Sequence, residues 1–239
     1  MDKRNKIIYM LENIGLEADD TAVFRLLTFY EMLIEANEYM NLTAITDFDD
    51  VVEKHFADSL LLSQTVDLTR VLTLIDVGTG AGFPGIPLKI MFPDLQVTLL
   101  DSLQKRVNFL DEVIEKLDLK DIRAVHSRAE DHGRTYAYRQ QYDLCVSRAV
   151  ADLSVLCELC IPLVRIGGTF VSYKSSGAGD EIEKASYAIS LLGGGDPVIQ
   201  SVHLPASGSE RLLVSIPKIS DTPGKYPRKA GIPAKRPLS

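Results

Sequence analysis

The stretch VLTLIDVGTGAGFPG, residues 71–85, decides how this chain is read. A β-branched, apolar run ends at Asp76, and glycines follow at alternate positions, Gly78, Gly80 and Gly82. A strand that stops in such a loop before a helix leaves backbone N–H groups bare and lets a ligand approach the main chain. A carboxylate just ahead of the first glycine repels a pyrophosphate and suits a ligand carrying positive charge. S-adenosylmethionine, a sulfonium, is such a ligand. Two other readings stay open on the loop alone. Gly80, Gly82 and Gly85 also spell G-x-G-x-x-G, the dinucleotide fingerprint, displaced by two residues from the strand end. A plain tight turn would need no ligand. Pro84 and Pro87 fall in the opening turn of the following helix, where proline is tolerated.

Strand and helix patterns alternate outward from this point. Strands are expected at 71–78, 96–102, 121–127, 142–149, 167–174, 197–204 and 210–218. Helical patterns fall between most of them, notably at 103–117, where Val107, Leu110, Val113, Ile114 and Leu117 recur, and at 179–193. Such alternation implies a mostly parallel seven-stranded sheet with helices on both faces. A short Pro/Gly/Ser segment joins the last two strands, which permits a hairpin and one antiparallel member. Residues 1–66 show no strand pattern. Helices are expected at 21–40 and 49–62, the second with Asp49 as N-cap. The division expected is a helical cap over the ligand end of the sheet (1–66), a cofactor-binding core (67–216) and a C-terminal tail (217–239).

Composition excludes several classes. No apolar stretch reaches the roughly 20 residues of a membrane helix. The N-terminus, interrupted by Glu12 and lacking a small-residue cleavage site, does not read as a signal peptide, so a cytosolic location is expected. Cys157 and Cys160 lie three apart in an apolar helical run and read as core residues; with four scattered histidines, no metal is expected. The net charge of −7 conceals a division. Residues 217–239 hold six basic residues against Asp221 alone, a surplus of five that leaves −12 on the rest. Phosphate affinity depends on where positive charge lies, so Lys225, Arg228, Lys229, Lys235 and Arg236 are candidate RNA contacts, a solvated tail being the alternative.

Asp101 ends the second strand and can accept hydrogen bonds from ribose hydroxyls; capping the next helix is the alternative. Ala129 and Glu130, just past the third strand, could meet an adenine edge. Arg148 and Lys174 close the fourth and fifth strands and should face the ligand crevice, holding a carboxylate, a phosphate or guanine. The chain has neither the N/D-P-P-aromatic sequence of exocyclic-amine methyltransferases nor, at these positions, the cysteine of pyrimidine C5 enzymes.

The segments NLTAIT (41–46), KHFADSL (54–60), LIDVGTGAGFPGIPLKI (74–90), LLDSLQKRVNFL (99–110), Ala129-Glu130, SRAV (147–150) and YPRKAGIPAKRPL (226–238) together resemble the bacterial 16S rRNA guanine-N7 methyltransferase G family, also called glucose-inhibited division protein B. The resemblance spans essentially the whole chain. It implies an α/β class I, Rossmann-like methyltransferase fold with an N-terminal helical extension. It also implies methyl transfer from S-adenosylmethionine to N7 of one guanine in 16S rRNA of the small ribosomal subunit. By the same resemblance Gly78 and Phe83 would line the cofactor pocket, to which the reading of the loop itself adds Asp76, Gly80 and Gly82. Ala129 and Glu130 would contact adenine, and Arg148 would sit beside the cofactor. Arg148 and Lys174 would position substrate, and no general base is expected. Asn41, His55 and Asp58 could shape the same mouth or serve only in capping and packing. Ser175 and Ser176 follow Lys174 where the family pattern leads one to expect glycine. A monomer is expected. An RNA-binding ribosome-assembly factor using the cofactor structurally, and a nicotinamide-dependent oxidoreductase, are the rival readings.

Overall fold

Three aspartates start the N-terminal helices by turning a carboxylate back onto free backbone N–H groups. Asp2 begins α1 (Lys3–Asn13), Asp19 begins α2 (Asp20–Met40) and Asp47 begins α3 (Phe48–Val51). The last corrects the expected cap: Asp47 accepts from the N–H groups of Asp49 and Asp50, so Asp49 is already inside the helix. Residues 1–20, given no element above, contain α1, whose Ile7, Met10 and Leu11 are buried at helical spacing. A π-helical turn (Val52–Ala57) carries α3 into α4 (Asp58–Leu60). The structure, a computed structural model, describes residues 1–17, 19–177 and 179–238.

The expected strands all form: β1 (Thr73–Val77), β2 (Gln96–Asp101), β3 (Ile122–His126), β4 (Tyr142–Arg148), β5 (Val164–Ser175), β6 (Val198–His203) and β7 (Glu210–Pro217). Between them lie α5 (Gly85–Met91), α6 (Gln104–Lys116), α7 (Ala129–His132), α8 (Leu153–Cys160) and α9 (Gly179–Leu191), and α10 (Ile232–Lys235) follows β7. β5 starts three residues earlier than expected. Gly167, at φ +83°, and a register shift against β4 between Tyr142 and Leu144 let the chain turn without leaving the sheet.

The strand order is β3-β2-β1-β4-β5-β7-β6, with β7 antiparallel to both its neighbours and the other paired strands parallel. The order reverses between β1 and β4, and open α/β sheets bind ligands at the carboxyl ends of strands at such a switch point. Alternation along β1 shows how both faces are covered. Leu74 joins a core with the N-terminal helices, α5 and α6, while Ile75 and Val77 join one with α8 and α9. Cys145, Cys157 and Cys160 are free thiols buried in that second core.

A two-chambered site at the strand ends

The glycine loop is built from its own carboxylate. Asp76 is fully buried, and its Oδ2 accepts from Thr79 Oγ1 at 2.7 Å and from the Gly85 N–H at 2.9 Å. These bonds pin the loop to the start of α5, so Asp76 organises the turn and is not exposed in either chamber. Burial raises its pKa to about 6, against the lowering effect of the Thr79 and Gly85 bonds and of Arg148. Gly80 donates its N–H to Asp101 Oδ2 at 3.0 Å, tying the loop to the end of β2. Gly82 packs beneath: a Cβ there would meet Ile86 Cγ1 at 2.6 Å and Leu110 Cδ2 at 3.0 Å.

The first chamber, a cavity of about 390 Å³, is lined by Gly78, Asp101, Ala129 and Glu130, which the sequence reading had placed together. Leu100, Val155, Leu159 and Ala234 add apolar wall, and Arg106 and Arg128 add charge. Gly78, at φ +74°, leaves no room for a side chain, since a Cβ would stand 2.6 Å from Val150 Cγ2. Asp101 is 3% exposed and also accepts from the Leu103 N–H at 2.9 Å and from Arg106 at 3.4 Å. The residues fit an adenosine group: a carboxylate for a ribose diol, apolar walls for a ring and the Ala129–Glu130 step for an exocyclic amine. One oxygen of Glu130, Oε1, accepts from the Gly231 N–H of the C-terminal segment at 2.8 Å.

The second chamber, about 510 Å³, is lined by Lys54, His55, Asp58, Arg148, Ala149, Tyr173, Lys174, Ser175, Glu181 and Arg211. Ala149, held at φ +55°, belongs to both walls, so the chambers adjoin where β4 ends. Arg148 faces this second chamber and not the first. Its Nη1 donates to Asp58 Oδ2 at 2.6 Å and to the Lys54 carbonyl at 3.1 Å, and its guanidinium lies 5.2 Å from the Phe83 ring centre. Asp58 also accepts from Arg211 Nε at 2.9 Å, so one carboxylate joins α4 to β4 and β7. Phe83 stacks on His55 at 4.6 Å and lies tilted against Phe29 at 5.2 Å, which places it between the loop and the N-terminal helices. Lys174 donates to the Ala151 carbonyl at 3.0 Å and to Glu181 at 2.5 Å. Asn41 is the left-handed C-cap of α2 and lines neither chamber.

Arg211 and Glu158 were missed. β7 runs antiparallel, so its first residues lie at the ligand end, where Arg211 pairs in register with Ser175. The hairpin expectation contained that signal. Glu158 is the one acid in the apolar run 150–164 apart from Asp152, is 0% exposed, and needs a partner at that depth. The partner is Arg228, whose N–H, Nε and Nη2 all reach its carboxylate, with Nη2–Oε2 at 2.6 Å. Of the five cations expected on an RNA-facing tail, Arg228 is therefore committed to a buried pair, while Lys225, Lys229, Lys235 and Arg236 are exposed.

The profile of the GidB family, described as rRNA small subunit methyltransferase G, matches residues 23–213. The chain belongs to this family. It is 47% identical over 238 residues to the ribosomal RNA small subunit methyltransferase G of Lachnoclostridium phytofermentans, covering 100% of this chain and 98% of the relative. It is 50% identical over 227 residues to the protein of the same name from Alkaliphilus metalliredigens, covering 95% of each. Solved structures share the fold at low identity. A predicted O-methyltransferase from Agrobacterium tumefaciens superposes with TM-score 0.56 at 18% identity, over 69% of this chain and 82% of the other. A SAM-dependent methyltransferase from Aquifex aeolicus gives 0.53 at 17%, over 74% and 96%. The fold is thus the class I methyltransferase fold, and membership of GidB disfavours both rival readings. Among the described residues no helix is long and apolar enough to cross a membrane, and no group of three His, Cys, Asp or Glu could hold a metal ion.

Three titratable groups, buried Asp76 and His132 and half-buried His55, give the family member a testable acid response. Burial and Arg148 lower His55 to about 4, and burial and Arg123 lower His132 to about 4. Between pH 5 and 6.5 the unfolded chain carries protons on both histidines that the folded chain lacks. The folded chain keeps one on Asp76 that the unfolded chain lacks. The unfolded state therefore binds more protons, and stability should rise with pH, by about 1 kcal/mol per pH unit across this window. In His132→Phe, which keeps a ring against Tyr138, the remaining His55 and Asp76 contributions oppose each other and the slope should fall to about zero. Urea unfolding at pH 5, 5.75 and 6.5 measures both; an unchanged slope in the variant refutes the account.

Proposed function

We propose that this chain transfers a methyl group from S-adenosylmethionine to N7 of a guanine in 16S rRNA of the small ribosomal subunit, with the cofactor in the first chamber and the guanine in the second. The observation that carries this reading is the pair of adjoining chambers, one built for a nucleoside and one rich in cations, in a member of the GidB family. S-adenosylmethionine supplies an electrophilic methyl group. The chain supplies position. Guanine N7 has an in-plane lone pair and no proton to lose, so no residue has to act as base. His55 fits that absence, because a pKa lowered to about 4 makes it a weak base and its Nε2 is within 2.8 Å of Thr43 Oγ1.

Arg148 and Lys174 are held by Asp58 and Glu181, so their charges are fixed before substrate arrives. A cation set against O6 can orient guanine while N7 stays free, and alignment of this kind contributes as much as roughly 7–11 kcal/mol. Visible motifs do not select one guanine among many, which favours recognition of folded RNA by shape. The exposed Lys225, Lys229, Lys235 and Arg236 are the proposed phosphate contacts. Each one replaced by alanine should lower the slope of log affinity against log salt by roughly 0.7–0.9, and an unchanged slope returns them to solvent.

The decisive assay incubates the protein with labelled S-adenosylmethionine and small subunits from cells lacking this protein, then maps chain cleavage at N7-methylguanine. One new site in 16S rRNA is expected. Cofactor binding without any transfer would overturn the assigned acceptor.

A further inference from the structure

The C-terminal segment is packed, not solvated, and it has two faces. Arg139 clasps its first half, donating to the carbonyls of Thr222 at 2.6 Å and Tyr226 at 2.7 Å. Tyr226 is buried in the core with α8 and α9. The second half, 228–238, lies across α7 and α8 on fewer attachments: the Arg228–Glu158 pair, the Gly231–Glu130 hydrogen bond, and the buried Pro233 and Leu238. A buried ion pair contributes little net free energy relative to its solvated partners, so this half is held only modestly. Its inner face puts Gly231 and Ala234 into the wall of the first chamber. Its outer face exposes Lys229, Lys235 and Arg236, none of which makes an ion pair among the described residues.

We infer that residues 228–238 form a strap that couples RNA binding to cofactor binding, because one short segment both walls the cofactor chamber and presents cations to RNA phosphates. The inference rests on the reading of the site given above. A ligand on either face favours the seated strap, and the seated strap is the state in which the other face is complete. Linkage makes the effect reciprocal: whatever factor RNA adds to cofactor affinity, cofactor adds to RNA affinity. The strap also explains why Glu130, a residue of the adenine end, spends one oxygen on Gly231. That bond sets the strap against the chamber wall at the place where the ligand would touch it.

The test uses the full chain, radiolabelled S-adenosylhomocysteine as a probe that cannot react, and small subunits lacking the methyl group. Equilibrium dialysis should give a Kd for the probe about tenfold lower when subunits are saturating, and filter binding should give the same factor for subunits when the probe is saturating. With Lys229→Ala, Lys235→Ala and Arg236→Ala combined, the probe should bind the free protein as before and the coupling factor should fall to about one. Arg228→Ala, which unseats the strap from inside, should weaken probe binding to the free protein. Equal Kd values with and without subunits, or full coupling in the triple variant, overturn the strap. If methyl transfer to 16S rRNA proceeds in either case, the functional reading survives that failure. If neither transfer nor subunit binding occurs, the reading itself has failed and the strap with it.

Discussion

Replacing Gly78 by valine is expected to lower cofactor affinity by at least 100-fold while the sheet remains folded. Gly78 sits at φ +74°, where an L side chain costs roughly 1–2 kcal/mol. A Cβ would also stand 2.6 Å from Val150 Cγ2, and both residues line the first chamber. A branched side chain must therefore displace Val150 or project into the ligand space, and either outcome reshapes the wall. Gly80→Ala is the contrast, since a Cβ there meets nothing nearer than the Gly78 carbonyl at 4.0 Å. That variant carries the backbone cost without the collision and should lose about tenfold. Calorimetric titration with S-adenosylhomocysteine, with circular dichroism as the check on folding, separates the two. Equal losses in both variants would mean that backbone strain, not the chamber wall, is responsible.

Asp58→Ala should cost about 3 kcal/mol of stability and nearly all methyl transfer, yet leave cofactor affinity within twofold. The carboxylate is 6% exposed and lies between Arg148 and Arg211. Breaking a buried ion pair by removing one partner costs about 3–5 kcal/mol, and the lower figure applies because Arg211 is partly exposed. For a chain of this size that is a fall of about 10 °C in Tm. Two guanidinium groups freed of their common anchor repel, and a misplacement of about 1 Å at the reacting groups can cost 100-fold in rate. Asp58 is not part of the first chamber, which is why cofactor binding should persist. Asp58→Asn keeps the shape without the charge and should resemble alanine in activity. If cofactor affinity falls in step with activity, the two chambers are not separable in this way.

The fold was legible because its signals are local. Apolar β-branched runs and glycine-proline punctuation located every strand, and the Pro/Gly/Ser connection allowed for a hairpin with one antiparallel member without saying which strand it was. What failed was also local but finer. Asp47 and Asp49 are both plausible caps by residue type, and only the chain's entry angle chooses between them. The π turn at Val52–Ala57 has no residue signature, although it carries Lys54 and His55 to the second chamber.

Site residues divided along the same line. Gly78, Asp101, Ala129 and Glu130 follow directly from strand ends, and the fold brings them together. Asp76 reads as a ligand group, but its Oδ2 is taken by Thr79 and Gly85 a few residues onward and its Oδ1 is buried without a partner. Arg148 reads as facing the cofactor, but its partner Asp58 is 90 positions away on an element that periodicity cannot place in space. Arg228 reads as a surface cation until Glu158, 70 positions earlier, is found buried beneath it. Long-range pairing is the information that a charge count cannot hold.

β7 is the last strand of the sheet to be synthesised, yet it lies between β5 and β6. Until residues 210–217 emerge, β5 lacks its antiparallel neighbour and β6 has no sheet partner at all. A nascent or prematurely ended chain thus presents two open strand edges, the kind of surface that recruits other chains. The sheet closes by insertion rather than by addition at a rim. A stop codon anywhere before residue 210 should consequently yield aggregate, not a shortened enzyme with a weakened edge.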